Sequence, residues 1–153
     1  MFTTSPCTQV KAQQSDNNPL AEMWTAYNGK KWRSAIARAD DYIKENGDQA
    51  TKMQDRLLKR NEPRPEPEEI LEADRPKYFN RGILNDVATC YFYQGEAYVN
   101  LKQMDKAKKA YQEAAKLTYA LTWDKTPPGW FWSPSDKAKQ RLASPHLFPP
   151  SSN

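Results

Sequence analysis

Few side chains in this sequence have the type and spacing that catalysis or metal binding requires. The single histidine, His146, lies in a proline-rich stretch near the C-terminus, where an exposed tail residue is the expected role. The acids Asp40-Asp41 and Glu68-Glu69 are adjacent in sequence, so their side chains point in different directions on a helix. No Cys/His grouping has zinc spacing, and the five glycines are scattered singly. We therefore expect no enzyme activity, metal or cofactor.

Aromatic residues near the C-terminus are the clearest candidates for ligand binding. Three tryptophans and a phenylalanine lie around a Pro-Pro-Gly turn within residues 123–132. Because Trp is concentrated at binding hot spots, Trp130 and Trp132 are candidate anchors for a peptide or small ligand. The alternative is a hydrophobic cover, since the end of a helix stack has to bury its exposed face. In that case we expect residues 123–132 to fold back over the helix face at 104–121.

Charge is distributed unevenly along this mildly basic chain of net charge +4. Residues 62–75 contain six acids and two bases, whereas residues 102–116 contain five lysines and two acids. These segments are interpreted as solvated faces that attract each other, with a basic docking surface for an acidic partner as the alternative. Nucleic-acid binding is disfavoured because there is no arginine-rich stripe and the acids oppose it.

The cysteines and the N-terminus give information on the cellular compartment of the protein. Cys7 lies in a polar tail and Cys90 in an apolar helical pattern, so Cys90 is expected to be a small buried residue. The N-terminus lacks the basic start and apolar block of an intact secretory signal. No apolar run approaches the roughly 20 residues that span a bilayer. A cytoplasmic protein without a membrane partner is expected, and a protein whose signal peptide has been removed is the alternative.

Apolar residues at spacings of three and four predict an all-α fold. The first helix is predicted to begin at Pro19 and to end at Asn28-Gly29. The second is predicted to end at Gly47, a candidate left-handed cap. Further helices are predicted at 48–60, 77–101 and 105–122, followed by a last helix capped by Ser133. No strand is predicted, because no alternating pattern of useful length occurs.

Composition divides the chain into one domain and two tails. Residues 1–18 and 144–153 are polar or proline-rich and are predicted to be flexible. The helical domain is predicted to cover residues 19–143. Within it, residues 61–76 form a proline-rich, acidic connection.

The pattern of small and large residues is most regular between residues 84 and 118. Gly95 lies inside a predicted helix, where it costs about 1 kcal/mol relative to alanine, and close helix packing would offset that cost. The pattern resembles a tetratricopeptide repeat, and the matching residues are Tyr91, Gly95, Tyr98, Ala107, Tyr111 and Ala114. A weaker copy includes Ala35, which precedes Ala107 by 72 residues, about two repeat lengths of roughly 34 residues each. Met23 replaces the small residue in that copy.

The resemblance implies a fold and a class of function. The fold would be a set of antiparallel helical hairpins, stacked as a short, degenerate right-handed array with a C-terminal capping helix. A generic helical bundle is the alternative. The function would be that of a non-catalytic adaptor that binds a protein or peptide on its concave face. Thr89, Phe92, Glu96 and Val99 occupy the binding positions of the family there. A small-ligand binder or enzyme using the C-terminal aromatic cluster is the alternative.

Overall fold

The computed structural model describes residues 18–151, which are mainly helical. The helices are α1 (Pro19–Asn28), α2 (Trp32–Lys59), α3 (Arg75–Phe79), α4 (Gly82–Asn100), α5 (Met104–Lys116) and α6 (Pro134–Leu142). Two strands, β1 (Thr122–Asp124) and β2 (Trp130–Trp132), form an antiparallel hairpin. Two single-turn 3-10 helices, Pro67–Glu69 and Glu72–Asp74, precede α3. Within this part of the chain, no helix is both long and apolar enough to cross a membrane.

Helices α1 and α4 end in the same way. Lys30 and Lys102 follow them in the left-handed conformation, with φ of 58° and 61°. In each turn the left-handed residue donates its N–H to the carbonyl three positions back, and the next residue donates to the carbonyl five positions back. This is the Schellman arrangement, which ends a helix and satisfies its last carbonyls. The chain then enters the next helix at Trp32 or Met104.

The predicted break at Gly47 is wrong, because α2 runs through it as one helix of 28 residues. A Cβ at Gly47 would meet only Ile43 Cγ2 at 3.5 Å, so the glycine neither requires nor relieves a turn. The apolar stripe continues beyond it at Ala50 and Leu57, which are buried in the cluster shared with α4. The left-handed residue that ends α2 is Asn61, with φ of 52°.

The predicted helix at 77–101 is interrupted, and α3 and α4 meet at Asn80-Arg81. Asn85 holds this junction, since its amide donates to the Tyr78 carbonyl at 2.8 Å and its Oδ1 accepts the Leu121 N–H at 2.8 Å. The predicted helix at 105–122 accordingly ends early, at Lys116. Tertiary hydrogen bonds replace the last turns of that helix and direct the chain towards β1.

Helix α4 is the centre of the molecule and packs against α1, α2, α5 and α6. Cys90 lies on its face towards α1 and α2, in a cluster with Met23 and Ala39, and all three are fully buried. The predicted burial of Cys90 is therefore confirmed, and burial raises the pKa of its thiol. Cys7 and the rest of residues 1–17 lie outside the described part of the chain.

The β-hairpin was not predicted, because strands of three residues are too short to show an alternating pattern. Its turn depends on Gly129, which has a φ of +85° and donates its N–H to the Thr126 carbonyl. A Cβ there would lie 2.3 Å from Cζ2 of Trp123, so glycine also makes room for that indole. The sharp Pro-Pro-Gly turn expected from the sequence is therefore present.

The C-terminal segment covers the helices differently from the prediction. Helix α6, capped at its N-terminus by Ser133 as predicted, packs on α5, and Ser135 Oγ donates to the Ala115 carbonyl at 2.7 Å. The hairpin instead packs on α4, where the rings of Trp132 and Phe92 are 5.4 Å apart. Phe148, expected in a flexible tail, packs against the cluster that contains Tyr111.

Candidate functional site

Two of the four predicted concave-face residues lie in the interior. Thr89 and Phe92 each expose only 3% of their surface. The Thr89 hydroxyl is hydrogen-bonded to that of Thr122 in β1 at 2.7 Å, and the Phe92 ring packs on Trp132 in β2. The hairpin therefore covers both residues, and neither is accessible to a ligand.

The other two concave-face residues are half-buried and already have partners. Glu96 Oε1 accepts hydrogen bonds from the Tyr111 hydroxyl and from Arg141 Nε, both at 2.7 Å. Val99 packs against the apolar cluster that also receives Phe148. Together with the hairpin, α6 and the residues after it fill this face of α4 from within the chain. Glu96 and Val99 are consequently structural in this arrangement.

The two candidate tryptophans differ in environment. Trp132 packs on Phe92 and Tyr93, and Lys137 Nζ lies 4.7 Å from its ring centroid. Trp130, in contrast, exposes 46% of its surface. Trp132 is therefore partly buried against the apolar cluster, and Trp130 is the more exposed of the two.

An open cleft of about 380 Å³ lies where α1, α4 and the hairpin meet. We call it the aromatic cleft, and its lining includes Trp24, Phe79, Asp86, Trp123, Lys125 and Phe131. Phe79, at the end of α3, exposes 45% of its surface. Its ring centroid is 5.4 Å from that of Trp123 and 5.1 Å from that of Phe131. The hairpin register places Trp123 opposite Phe131, so the two strands present these rings side by side.

A single carboxylate, Asp86 of α4, lines the aromatic cleft. Its Oδ2 accepts a hydrogen bond from the Tyr42 hydroxyl at 3.0 Å. Burial raises the pKa of Asp86, and the Tyr42 hydrogen bond offsets only part of that rise. Within residues 18–151, no cation lies within ion-pair distance of Asp86, although Lys125 lines the same cleft. The carboxylate is thus partly desolvated without a compensating positive charge.

This combination is suited to binding a cation. The faces of Trp and Phe rings attract ammonium and guanidinium groups, and more strongly when water is excluded. A carboxylate beside the rings adds a charge-assisted hydrogen bond. The described residues contain no group of three His, Cys, Asp or Glu side chains that could hold a metal ion. His146 is exposed, as expected.

The sequence predicted two aromatic residues of this cleft but not its carboxylate. Trp123 and Phe131 belong to the predicted C-terminal aromatic cluster, whereas Trp24, Phe79 and Asp86 were not singled out. One signal was available for Asp86, which lies in an apolar stretch without a base three or four positions away. Such an acid has no helical partner and needs an explanation from tertiary structure.

The predicted attraction between the acidic and basic segments is not seen as ion pairs. Lys116 pairs with Glu113 of its own helix, at 2.8 Å. Across the described residues, no salt bridge joins 62–75 to 102–116. The lysines of α5 remain a solvated face.

Comparison of the chain with protein-family models, curated proteins and solved structures found no match.

Proposed function

We propose that this protein is a non-catalytic binding module that takes an arginine or lysine side chain of a polypeptide partner into the aromatic cleft. Asp86 is the observation that carries the proposal. It is a partly buried carboxylate with no cation partner in the described chain, and it lines the same cleft as Trp24, Phe79 and Trp123. A ligand cation would supply the charge that this carboxylate lacks.

The energetics favour such a ligand. A carboxylate removed from water costs free energy in the unbound protein, and an incoming guanidinium recovers part of that cost through charge-assisted hydrogen bonds. The rings are suited to stacking, since the Arg75 guanidinium already lies 5.1 Å from the centroid of the Trp123 ring. A cation bound in the cleft would use the same kind of contact.

A polypeptide partner is favoured over a free amine because the apolar surface extends beyond the carboxylate. Phe79 lines the cleft and exposes 45% of its surface. Residues flanking the bound cation would cover it, and large exposed aromatics are frequent in binding surfaces.

The tetratricopeptide-like array is part of the same proposal. Its support is that the α1–α2 and α4–α5 hairpins share a left-handed lysine in their turns. Ala35 and Ala107 each follow the first residue of the second helix by three positions, and both are buried. In such an array α1 and α4 are the first helices of two units, and the aromatic cleft involves both of them.

The sizes of equivalent core residues also support two related hairpins. In the second hairpin a small residue on the first helix, Gly95, is covered by a large one, Tyr111. At the equivalent positions of the first hairpin, the large residue is Met23 and the small one is Ala39, and both are fully buried. The large residue lies on the second helix of the α4–α5 hairpin and on the first helix of the α1–α2 hairpin. Both hairpins can therefore keep a similar distance between their helices with different residues.

The proposal can be tested by selecting peptides from a random display library on the wild-type protein and on Asp86→Asn. We expect peptides enriched on the wild type to share an arginine or lysine and to lose enrichment on the variant. Leu58→Ala, which removes a side chain that is 59% exposed outside the cleft, serves as the matched control. Equal enrichment on Asp86→Asn, selection of peptides without a cation, or no enrichment at all would contradict the proposal.

A free cationic metabolite is the second candidate, because Trp123 and Phe131 from the C-terminal aromatic cluster line the cleft. The two can be separated by titrating a selected peptide and a capped arginine against the wild type. A capped arginine that retains the full affinity of the peptide would favour the small ligand. A peptide that binds much more tightly would favour a polypeptide partner.

A further inference from the structure

A second cleft, also of about 380 Å³, lies where the end of α2 meets α3 and the start of α4. We call it the basic cleft. Its lining contains the cations Arg56, Arg60, Lys77 and Arg81 and only one acid, Glu62. It is separate from the aromatic cleft, because the two share no lining residue.

Arg81 is the most constrained cation in the basic cleft. Only 5% of the residue is exposed, and its guanidinium lies over the rings of Tyr78 and Tyr119, at 4.9 and 5.7 Å from their centroids. Nη1 donates to the Tyr119 carbonyl at 3.1 Å, while Nη2 is 3.5 Å from Glu62, too far for a strong ion-pair hydrogen bond. This guanidinium is therefore held in place, although several of its N–H groups donate no hydrogen bond.

Some of the unused donors of Arg81 are accessible. Among the described residues, no fully buried side-chain nitrogen or oxygen lacks a hydrogen-bond partner. The nitrogens of Arg81 that make no hydrogen bond must therefore retain some accessible surface. Arg81 is one of the residues that line the basic cleft. Burial also lowers the pKa of Arg81, as expected for a cation that is poorly compensated.

Glu62 neutralises only part of the positive charge. It pairs with Lys77 at 2.7 Å, and the hydrogen bond from Lys77 is the main reason that its pKa is lowered. Arg56 and Arg60 are exposed and, within residues 18–151, are in no salt bridge. They lie one helical turn apart near the C-terminal end of α2. Attraction to the helix dipole accounts for one part of their placement. It does not account for their convergence with Lys77 and Arg81 on one cavity.

We propose that the basic cleft binds the phosphate group of a phosphorylated ligand. Four cations and a single carboxylate leave an excess of three positive charges in the lining, which suits a phosphate dianion. Arg56, Arg60 and Arg81 bring three guanidinium groups to this lining, and guanidinium is well suited to binding phosphate oxygens. Met53 and Leu57 supply apolar lining for the organic part that carries the phosphate.

The test is a titration of the full chain with inorganic phosphate, followed by NMR of the arginine Nε–H signals at constant ionic strength set with sodium chloride. We expect saturable shifts for Arg60 and Arg81. Substituting Arg56→Gln or Arg60→Gln should weaken binding by about tenfold, since each removes a charge-assisted hydrogen bond. Arg33→Gln, which removes an exposed cation from the same helix outside the cleft, should leave binding unchanged.

Two results would overturn the proposal. One is the absence of a saturable shift at Arg81. The other is equal weakening by Arg33→Gln, which would mean that net charge alone attracts the anion. Titration with phosphoserine and with a phosphoserine-containing heptapeptide distinguishes the source of the phosphate. Tighter binding of the peptide indicates a phosphorylated protein, and equal binding indicates a small phosphorylated molecule.

Discussion

The ring of Tyr111 lies against the backbone of Gly95, so closely that a Cβ at this glycine would be 2.5 Å from Cε1. The three atoms nearest to that position all belong to Tyr111. Tyr111 is fully buried, and its hydroxyl is fixed by Glu96. The glycine inside α4 is therefore required by an aromatic ring of α5.

Gly95→Ala is expected to destabilise the protein by about 1–3 kcal/mol, since the added methyl group overpacks the Tyr111 ring. The usual gain of about 1 kcal/mol from replacing a helical glycine is lost here. Gly47→Ala is the matched control, because its Cβ would meet only Ile43 at an ordinary distance of 3.5 Å. Gly47→Ala should therefore raise the free energy of unfolding. Urea unfolding measures both, and a stabilised Gly95→Ala would contradict the packing described.

Trp132 and Trp130 should respond differently to truncation. Trp132→Ala removes a ring that packs on Phe92 and Tyr93 and should cost about 3 kcal/mol. Trp130→Ala removes a side chain that is nearly half-exposed and should change stability by about 0.5 kcal/mol or less. Unfolding midpoints and acrylamide quenching in single-tryptophan variants check this. Similar losses of stability in the two variants would contradict the packing of the hairpin on α4 described above.

Asp86→Asn should stabilise the unbound protein at neutral pH. Burial raises the pKa of Asp86 above its ordinary value of 3.8, so the folded state binds this proton more tightly than the unfolded state does. The stability of the wild type therefore falls, relative to the variant, as pH rises from 3.8 through the folded-state pKa. Asparagine keeps an oxygen that can accept the Tyr42 hydrogen bond.

Urea unfolding of the wild type and of Asp86→Asn at pH 3.5 and pH 7 tests this sign. We expect a more favourable stability difference for the variant at the higher pH. A variant that is less stable than the wild type at pH 7 would mean that Asp86 serves the fold rather than a ligand.

Glu96 should prove structural. Glu96→Ala leaves the Tyr111 hydroxyl without its acceptor and Arg141 without its partner, at a cost of about 1–3 kcal/mol. Glu96→Gln keeps an oxygen for Tyr111 and should cost less. Thermal unfolding ranks the two variants. If Glu96→Ala left stability unchanged but removed peptide binding, the concave face of α4 would again be a candidate site.

The amino-acid sequence determined much of the local structure. Pro19 at the start of α1 and Ser133 as the cap of α6 were predicted and are confirmed, because each signal acts within one turn of its helix. The mainly helical character and the burial of Cys90 also follow from periodicity, which reports the face that a helix buries. The tetratricopeptide-like arrangement remains a proposal.

Only the tertiary structure decided where helices continue and where they stop. Gly47 is helical because the apolar stripe on either side of it packs on α4, and packing outweighs the propensity of one residue. Conversely, the chain leaves α5 at Lys116 because Asn85, distant in sequence, captures the N–H of Leu121. Neither partner is visible within a local window of sequence.

The candidate sites were likewise decided by tertiary structure. Sequence spacing assigned Thr89 and Phe92 to an open face, but it carries no information on which segment of the same chain will cover that face. The aromatic cleft joins Trp24, Asp86 and Trp123 from three separate elements, and the basic cleft joins α2 to α3 and α4. Desolvation of Asp86 and constraint of Arg81 arise only from neighbours that folding brings together, since burial and charge compensation are properties of the folded chain.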